Sequence, residues 1–235
     1  MRFFYSSLSL ALAVQFAPAL AAAAEQGPQI EKGEIITNAR IVCGNQGSGD
    51  FHTAPDTTPH ALPYNGGPTG TEDSSGQWTG CHAVTVAEYR ANPPVENQWS
   101  GTLMIAQDLG GRCNPSGTGG AGWGQPTWRS TLKLPDAGPN KTWHVAGTFN
   151  AVQDDAAPSA PSPCQLSIHS AREMSHDLSR PSTDQKFSFD SLEPGTHRIE
   201  LTCPGEISGG CLGDTKTETN DRQPQITVNF VMEAK

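Results

Sequence analysis

Nine short runs of this 235-residue chain alternate apolar and polar residues with period two, and no stretch carries a convincing helical period. In NARIVC, Ala39, Ile41 and Cys43 alternate with polar or outward neighbours. Val84 and Val86 mark CHAVTVAEY, and Trp99, Leu103 and Ile105 mark WSGTLMIA. WRSTLKL puts Trp128, Leu132 and Leu134 on one side and Arg129, Thr131 and Lys133 on the other. TWHVAGTFNAV turns Trp143, Val145 and Phe149 inward, and CQLSIH does so with Cys164, Leu166 and Ile168. Phe187 and Phe189 alternate in KFSFDSL, Ile199, Leu201 and Cys203 in EPGTHRIELTC, and Ile226, Val228, Phe230 and Met232 in QITVNFVM. AREMSHDLS (171–179) has room for one helical turn at most. Strands joined by Gly/Pro turns, without crossover helices, must return antiparallel. The expectation is an all-β, disulfide-stabilised antiparallel β-sandwich of about nine strands, with long Gly/Pro-rich loops and little or no helix.

The first residues set the expected compartment. Arg2 starts a short positive end, Leu8 to Phe16 is an apolar run too short to span a bilayer, and Ala22-Ala23-Ala24 supplies small residues for a signal peptidase. Residues 1–24 read as a cleaved secretory signal, which makes the protein secreted, either extracellular or periplasmic. No later stretch approaches the ~18 apolar residues of a membrane-spanning helix. Loss of Arg2 takes the formal charge from −9 to −10. That acidity opposes nucleic-acid binding and docking on anionic lipid, and it favours solubility.

Six cysteines, Cys43, Cys81, Cys113, Cys164, Cys203 and Cys211, imply disulfides in an exported chain. No CxxC pair points to zinc. Cys164 starts a strand and Cys203 ends one, so antiparallel neighbours would set them side by side. Cys211 is the other local partner for Cys203, across CPGEISGGC. Three cysteines precede the linker-like DDAAPSAPSP (154–163) and three follow it. If all six pair within the chain, at least one bridge crosses that stretch. Residues 25–235 therefore read as one sandwich, or two tightly coupled halves with a soft boundary at 154–163. SGTLMIAQD (100–108) and AGTFNAVQD (146–154) share Gly, Thr, Gln and Asp at matching places, a faint sign of tandem duplication.

The long loops, 44–77 and 110–126, hold most candidate chemistry. GTGGAG (117–122) fits a dinucleotide fingerprint, but no strand leads into it and no helix follows, so a flexible loop is expected. There is no GxSxG elbow for a serine hydrolase. GDFHTAPDTTPH (49–60) gathers Asp50, His52, Asp56 and His60, whose imidazoles and carboxylates suit zinc or copper if His82 or another distant residue completes the site. Asp154-Asp155, and the acidic loop with Asp214, Glu218 and Asp221, offer hard oxygens for calcium, though the ordered DxDxDG loop is missing. No other cofactor is expected. Trp78 and Trp123, flanked by small residues, can present a bare ring on which a sugar or apolar ligand stacks, while Trp128 and Trp143 sit on strand patterns and read as core. Asn140-Lys141-Thr142 is a glycosylation sequon that matters in a eukaryotic source.

The segments GTFNAVQDD, QLSIHS, LEPGTHRIEL and ITVNFV give the C-terminal half a pattern that resembles the PA14-type β-sandwich of some secreted glycan-binding proteins. That resemblance implies that Asp154 and Asp155 help bind calcium and sugar. The glycine that usually follows the pair is Ala156 here, and a Pro-rich insertion separates the pair from the next strand. LEPGTHRIELTC is similar as well to a late immunoglobulin strand, although Leu201 stands where the corner tyrosine is expected. Two functional readings follow. One is a secreted binding or cell-surface module that recognises a glycan, a cell-wall component or a surface protein. The other is a secreted hydrolase or metal-dependent enzyme using Asp50, His52, Asp56 and His60.

Overall fold

A computed structural model describes residues 27–43, 51–70, 81–93, 98–112, 120–152, 163–203, 207–210, 219–222 and 225–235. Every regular element among the described residues is a strand. The N-terminal part runs β1 (Gln29–Ile30), β2 (Glu34–Ile36), β3 (Arg40–Cys43), β4 (Phe51–His52), β5 (His60–Ala61) and β6 (Tyr64–Gly66). Next come β7 (Cys81–Ala91), β8 (Gln98–Arg112), β9 (Gly120–Gly124), β10 (Thr127–Leu134) and β11 (Trp143–Val152). The rest is β12 (Cys164–His169), β13 (Glu173–Leu178), β14 (Ser182–Leu192), β15 (Gly195–Thr202), β16 (Ile207–Gly210), β17 (Thr219–Arg222) and β18 (Gln225–Ala234).

All nine sequence-expected strands are present. The nine additional ones are short and lie mostly at sheet edges, where alternation has too few residues to register. One expectation is corrected: Glu173–Leu178, within the segment that had room for a helical turn, is edge strand β13, paired along its length with β12. Its Glu, Ser and Asp alternate with Met174, His176 and Leu178, a period of two that the Ala171-Arg172 start obscures.

Two seven-stranded antiparallel sheets form the sandwich. The first has the order β13-β12-β15-β10-β2-β5, with β1 also pairing β10. The second has the order β14-β11-β18-β8-β7-β6, with β17 also pairing β8. Strands from before and after residues 154–163 lie side by side in both sheets. The shared core is aromatic: Trp128 stacks on Tyr89 at 5.9 Å and tilts against Phe230 at 5.8 Å, and Phe187 meets Phe230 edge-on. Indole and phenol find polar partners inside this core, Trp128 donating to the Lys32 carbonyl and Tyr89 to that of Ile30.

The faint repeat has a local cause. The matched Gly101 and Gly147 lie opposite the same residue, Phe230, from its two sides. A Cβ at Gly147 would come 1.9 Å from the Asn229 carbonyl, and one at Gly101 would come 2.6 Å from the Trp99 ring. The matched Thr102 and Thr148 both hydrogen-bond the Asn229 side chain. Phe230 and Asn229 of the central strand thus ask the same two residue types of both neighbours.

The outer faces differ. On the first sheet, Arg129 pairs with Glu200 at 2.9 Å, and Lys133 pairs with Glu31. On the second, β7 reverses the facing that its valines imply: Ala83, Thr85, Ala87 and Tyr89 are buried, and Val84 and Val86 are half-buried on the outside. Near Ala83 the inner side of β7 has room only for small side chains, because β9 lies directly against it at Gly122. Both flanks of the sandwich are closed, as edge strands require. On one, Gln185 donates to the Asp177 carbonyl and accepts from the Ser179 amide, and His176 reaches the Ser188 carbonyl. The other flank is closed by β5 and β6. Cys164 and Cys203 form a disulfide between the start of β12 and the end of β15, the side-by-side placement expected of antiparallel neighbours.

Candidate functional site

The β7–β8 hairpin is longer than the sandwich it belongs to, and its far end carries a third sheet of four strands in the order β16-β9-β3-β4. Ala39, Ile41, Cys81, Ala83 and Leu109 make a small core of their own there. The sequence GAGWG explains how β9 lies so close. Gly120, Gly122 and Gly124 are all buried, toward the hairpin. A Cβ at Gly122 would come 1.8 Å from the His82 carbonyl, and one at Gly124 would come 2.1 Å from the Gln107 amide nitrogen. This part of the expected flexible loop is therefore a strand, and the glycines beside Trp123 serve sheet packing on the opposite face.

Trp123 alternates with those glycines and stands half-buried on the outer face. Directly opposite it on β3 is Arg40, whose guanidinium lies 4.9 Å from the centre of the indole. Arg40 is exposed, and Val42, two residues on along the same strand, is half-buried. Ser208 of β16 is the residue opposite Trp123 on its other side. The result is an aromatic ring with a guanidinium fixed against it, a pairing stabilised by attraction between the cation and the π face.

Where the two cores meet, the interior turns polar. Thr37, Thr85 and Gln107 are buried, and Gln107 Nε2 donates to Thr85 Oγ1 at 3.3 Å. Gln107 Oε1 has no hydrogen-bond partner among the described residues. The sequence hides this seam, because Thr and Gln on strands read as surface residues.

From Phe51 to Tyr64 the chain runs over all three sheets. Phe51–His52 is β4 at the edge of the small sheet, with His52 opposite Val42. Thr53 exchanges hydrogen bonds with Ile41, and Asp56 forms a bridge with Ala39. His60 then enters the edge of the first sheet opposite Ile35, and Tyr64 enters the edge of the second opposite Ala87. Asp56 and His60 are brought together: Nε2 donates to Asp56 Oδ2 at 2.8 Å, and the imidazole stacks on Tyr64 at 4.2 Å. Burial works to raise the Asp56 pKa, but the hydrogen bonds from His60 and from Thr58 outweigh it, and the carboxyl sits below its ordinary range. Burial, with Asp56 nearby, pushes the Tyr64 hydroxyl upward. His52 and Asp56 face Val42 and Ala39, positions three residues apart, which is roughly 10 Å of extended chain. His82 pairs with Asp108 on the outer side of the β7–β8 hairpin instead of joining the loop. Among the described residues no group of three or more His, Cys, Asp or Glu is placed to hold a metal ion.

Trp78, Asp50, Asp154, Asp155, Asp214, Glu218, Cys113 and Cys211 lie outside the described residues, as does the 1–24 segment. Of Cys43, His52 and Asp221 only the backbone is described. Cys81 is disulfide-bonded, and with Cys164 and Cys203 joined its partner is Cys43, Cys113 or Cys211. Asn140 is exposed in the turn between β10 and β11, at a positive φ of 59°. Among the described residues no helix is long and apolar enough to cross a membrane. Arg40 escaped the sequence reading; its signal is register, which needs β3 and β9 to be paired first. No protein-family model matches this chain, and no curated protein matches it significantly.

Proposed function

We propose that this chain is a secreted β-sandwich binding module, with a glycan or cell-wall component as its ligand and Trp123 as its contact. The observation that carries the reading is an indole held on the outer face of the small sheet by Arg40, half-buried but not sealed into a core. An aromatic plane stacks on the C–H face of a sugar ring, and a strand presents that plane more rigidly than a loop does. The disulfide between Cys164 and Cys203 and the small-residue N-terminal segment support an exported protein. A glycan array probed with the native protein and with Trp123→Ala tests the reading. Binding that survives the substitution would remove Trp123 from the site, and binding only to a surface protein would replace the glycan.

A second reading, a hydrolase or metal-dependent enzyme, has one observation in its favour, the His60–Asp56 contact beside Tyr64. Metal analysis of the purified protein, with His60→Ala for comparison, tests it. No bound metal, and no hydrolysis lost in the variant, would end it.

A further inference from the structure

We infer that the ligand is an anionic saccharide, one whose carboxylate or sulfate group is taken by Arg40 while a neighbouring ring face rests against Trp123. This rests on the glycan-binding reading above and narrows it to a chemical class.

The chain has 24 Asp and Glu against 15 Lys and Arg, so an arginine on its surface has carboxylates in excess to pair with. Arg90, Arg129 and Arg198 each face a glutamate within 4.0 Å. Arg40 does not: among the described residues it has no ion pair, and, unlike the equally unpaired Arg172, it stands against an aromatic ring, that of Trp123. An indole face offers no oxygen or nitrogen acceptor, so the five N–H donors of the guanidinium have no acceptor among the described residues. Those donors match two oxygens of a carboxylate or a sulfate in a single plane. The ring also holds the arginine in place, so little side-chain freedom remains to be lost on binding. Arg40 and Trp123 are directly opposite each other on paired strands, and Val42 adds a half-buried apolar neighbour along β3. A fixed cation beside an apolar plane fits a sugar that bears an acid on its ring. The overall negative charge works against polyanions such as nucleic acid, which require many cations in a row. It leaves room for a ligand with sparse charge.

The test is calorimetric titration of the full chain with three oligosaccharides of equal length: one neutral, one of uronic acid, one sulfated. The native protein is expected to bind one or both acidic probes about tenfold tighter than the neutral one, the effect of one charge-assisted contact. The two acidic arms separate carboxylate from sulfate. The preference should shrink in 0.5 M salt. Arg40→Gln should bring the affinities for the three probes to within about twofold of one another, whatever their common level; Arg40→Lys, which keeps the charge without the planar fork, should keep part of the preference. Thermal unfolding of both variants checks that they remain folded. Equal affinity for all three probes, or a preference that Arg40→Gln leaves intact, overturns the inference and leaves the glycan reading standing. No binding of any saccharide by the native protein ends both.

Discussion

Replacing both Cys164 and Cys203 by alanine should cost the protein about 4 kcal/mol. The bridge closes a loop of 39 residues. The chain-entropy relation for a loop of that size gives about 13 cal/mol/K withheld from the unfolded ensemble, which is about 4 kcal/mol at 25 °C. The loop contains β13 and β14, which belong to different sheets, so the restrained segment crosses the sandwich. The native state should change little, because β12 and β15 are hydrogen-bonded neighbours without the bridge. In urea unfolding followed by tryptophan fluorescence, the midpoint should therefore fall. The slope should rise, since an unbridged denatured chain exposes more surface. For a chain of this size the same loss lowers Tm by roughly 8–16 °C. A loss under about 1 kcal/mol would refute the reasoning. A full loss with an unchanged slope would refute its mechanism and move the effect to core packing, where both cysteines are buried.

Other outcomes follow from the same structure. Gly122→Ala should destabilise by about 1–3 kcal/mol, because its Cβ would lie 1.8 Å from a backbone carbonyl and the small sheet must lift off β7. Gly27→Ala, with nothing within 4 Å of the added carbon, should stay within about 0.5 kcal/mol in the same melt. Trp128→Ala should cost about 3–5 kcal/mol by urea titration, since the indole is fully buried between Tyr89 and Phe230. Asp56 has a lowered folded pKa, so the native state binds fewer protons than the unfolded one near the ordinary aspartate value. Its contribution is present above about pH 4 and is lost as pH falls through the folded value. Asp56→Asn should therefore narrow the stability gap to the native protein as pH drops from 6 toward 3, and a gap that widens would contradict it.

The two candidate sites differ in how far they were legible. Asp56 and His60 are four residues apart, so their meeting could be read from a loop's reach. The path of that loop over three sheet edges could not, because it depends on which strands end where. Trp123 was singled out for its glycine neighbours, yet those glycines answer to His82 and Gln107 across the sheet. The tryptophan's real partner, Arg40, stands 83 positions away and is visible only through register.

Period-two alternation and the absence of a helical repeat were enough to determine an antiparallel all-β protein, because side-chain facing along a strand is a local property. They offered Cys203 two local partners, Cys164 and Cys211, and only the pairing of β12 with β15 chose Cys164. Tertiary structure decided the rest. Strand order and register depend on which faces can be buried against each other, and that is a sum over the whole chain. It decided that GAGWG is a strand, because the missing Cβ atoms of Gly122 and Gly124 let one sheet lie on another. It turned Val84 and Val86 outward, because the inner side of β7 had room only for small residues over much of its length. It also set an arginine against an indole, on a surface that no single stretch of the sequence describes.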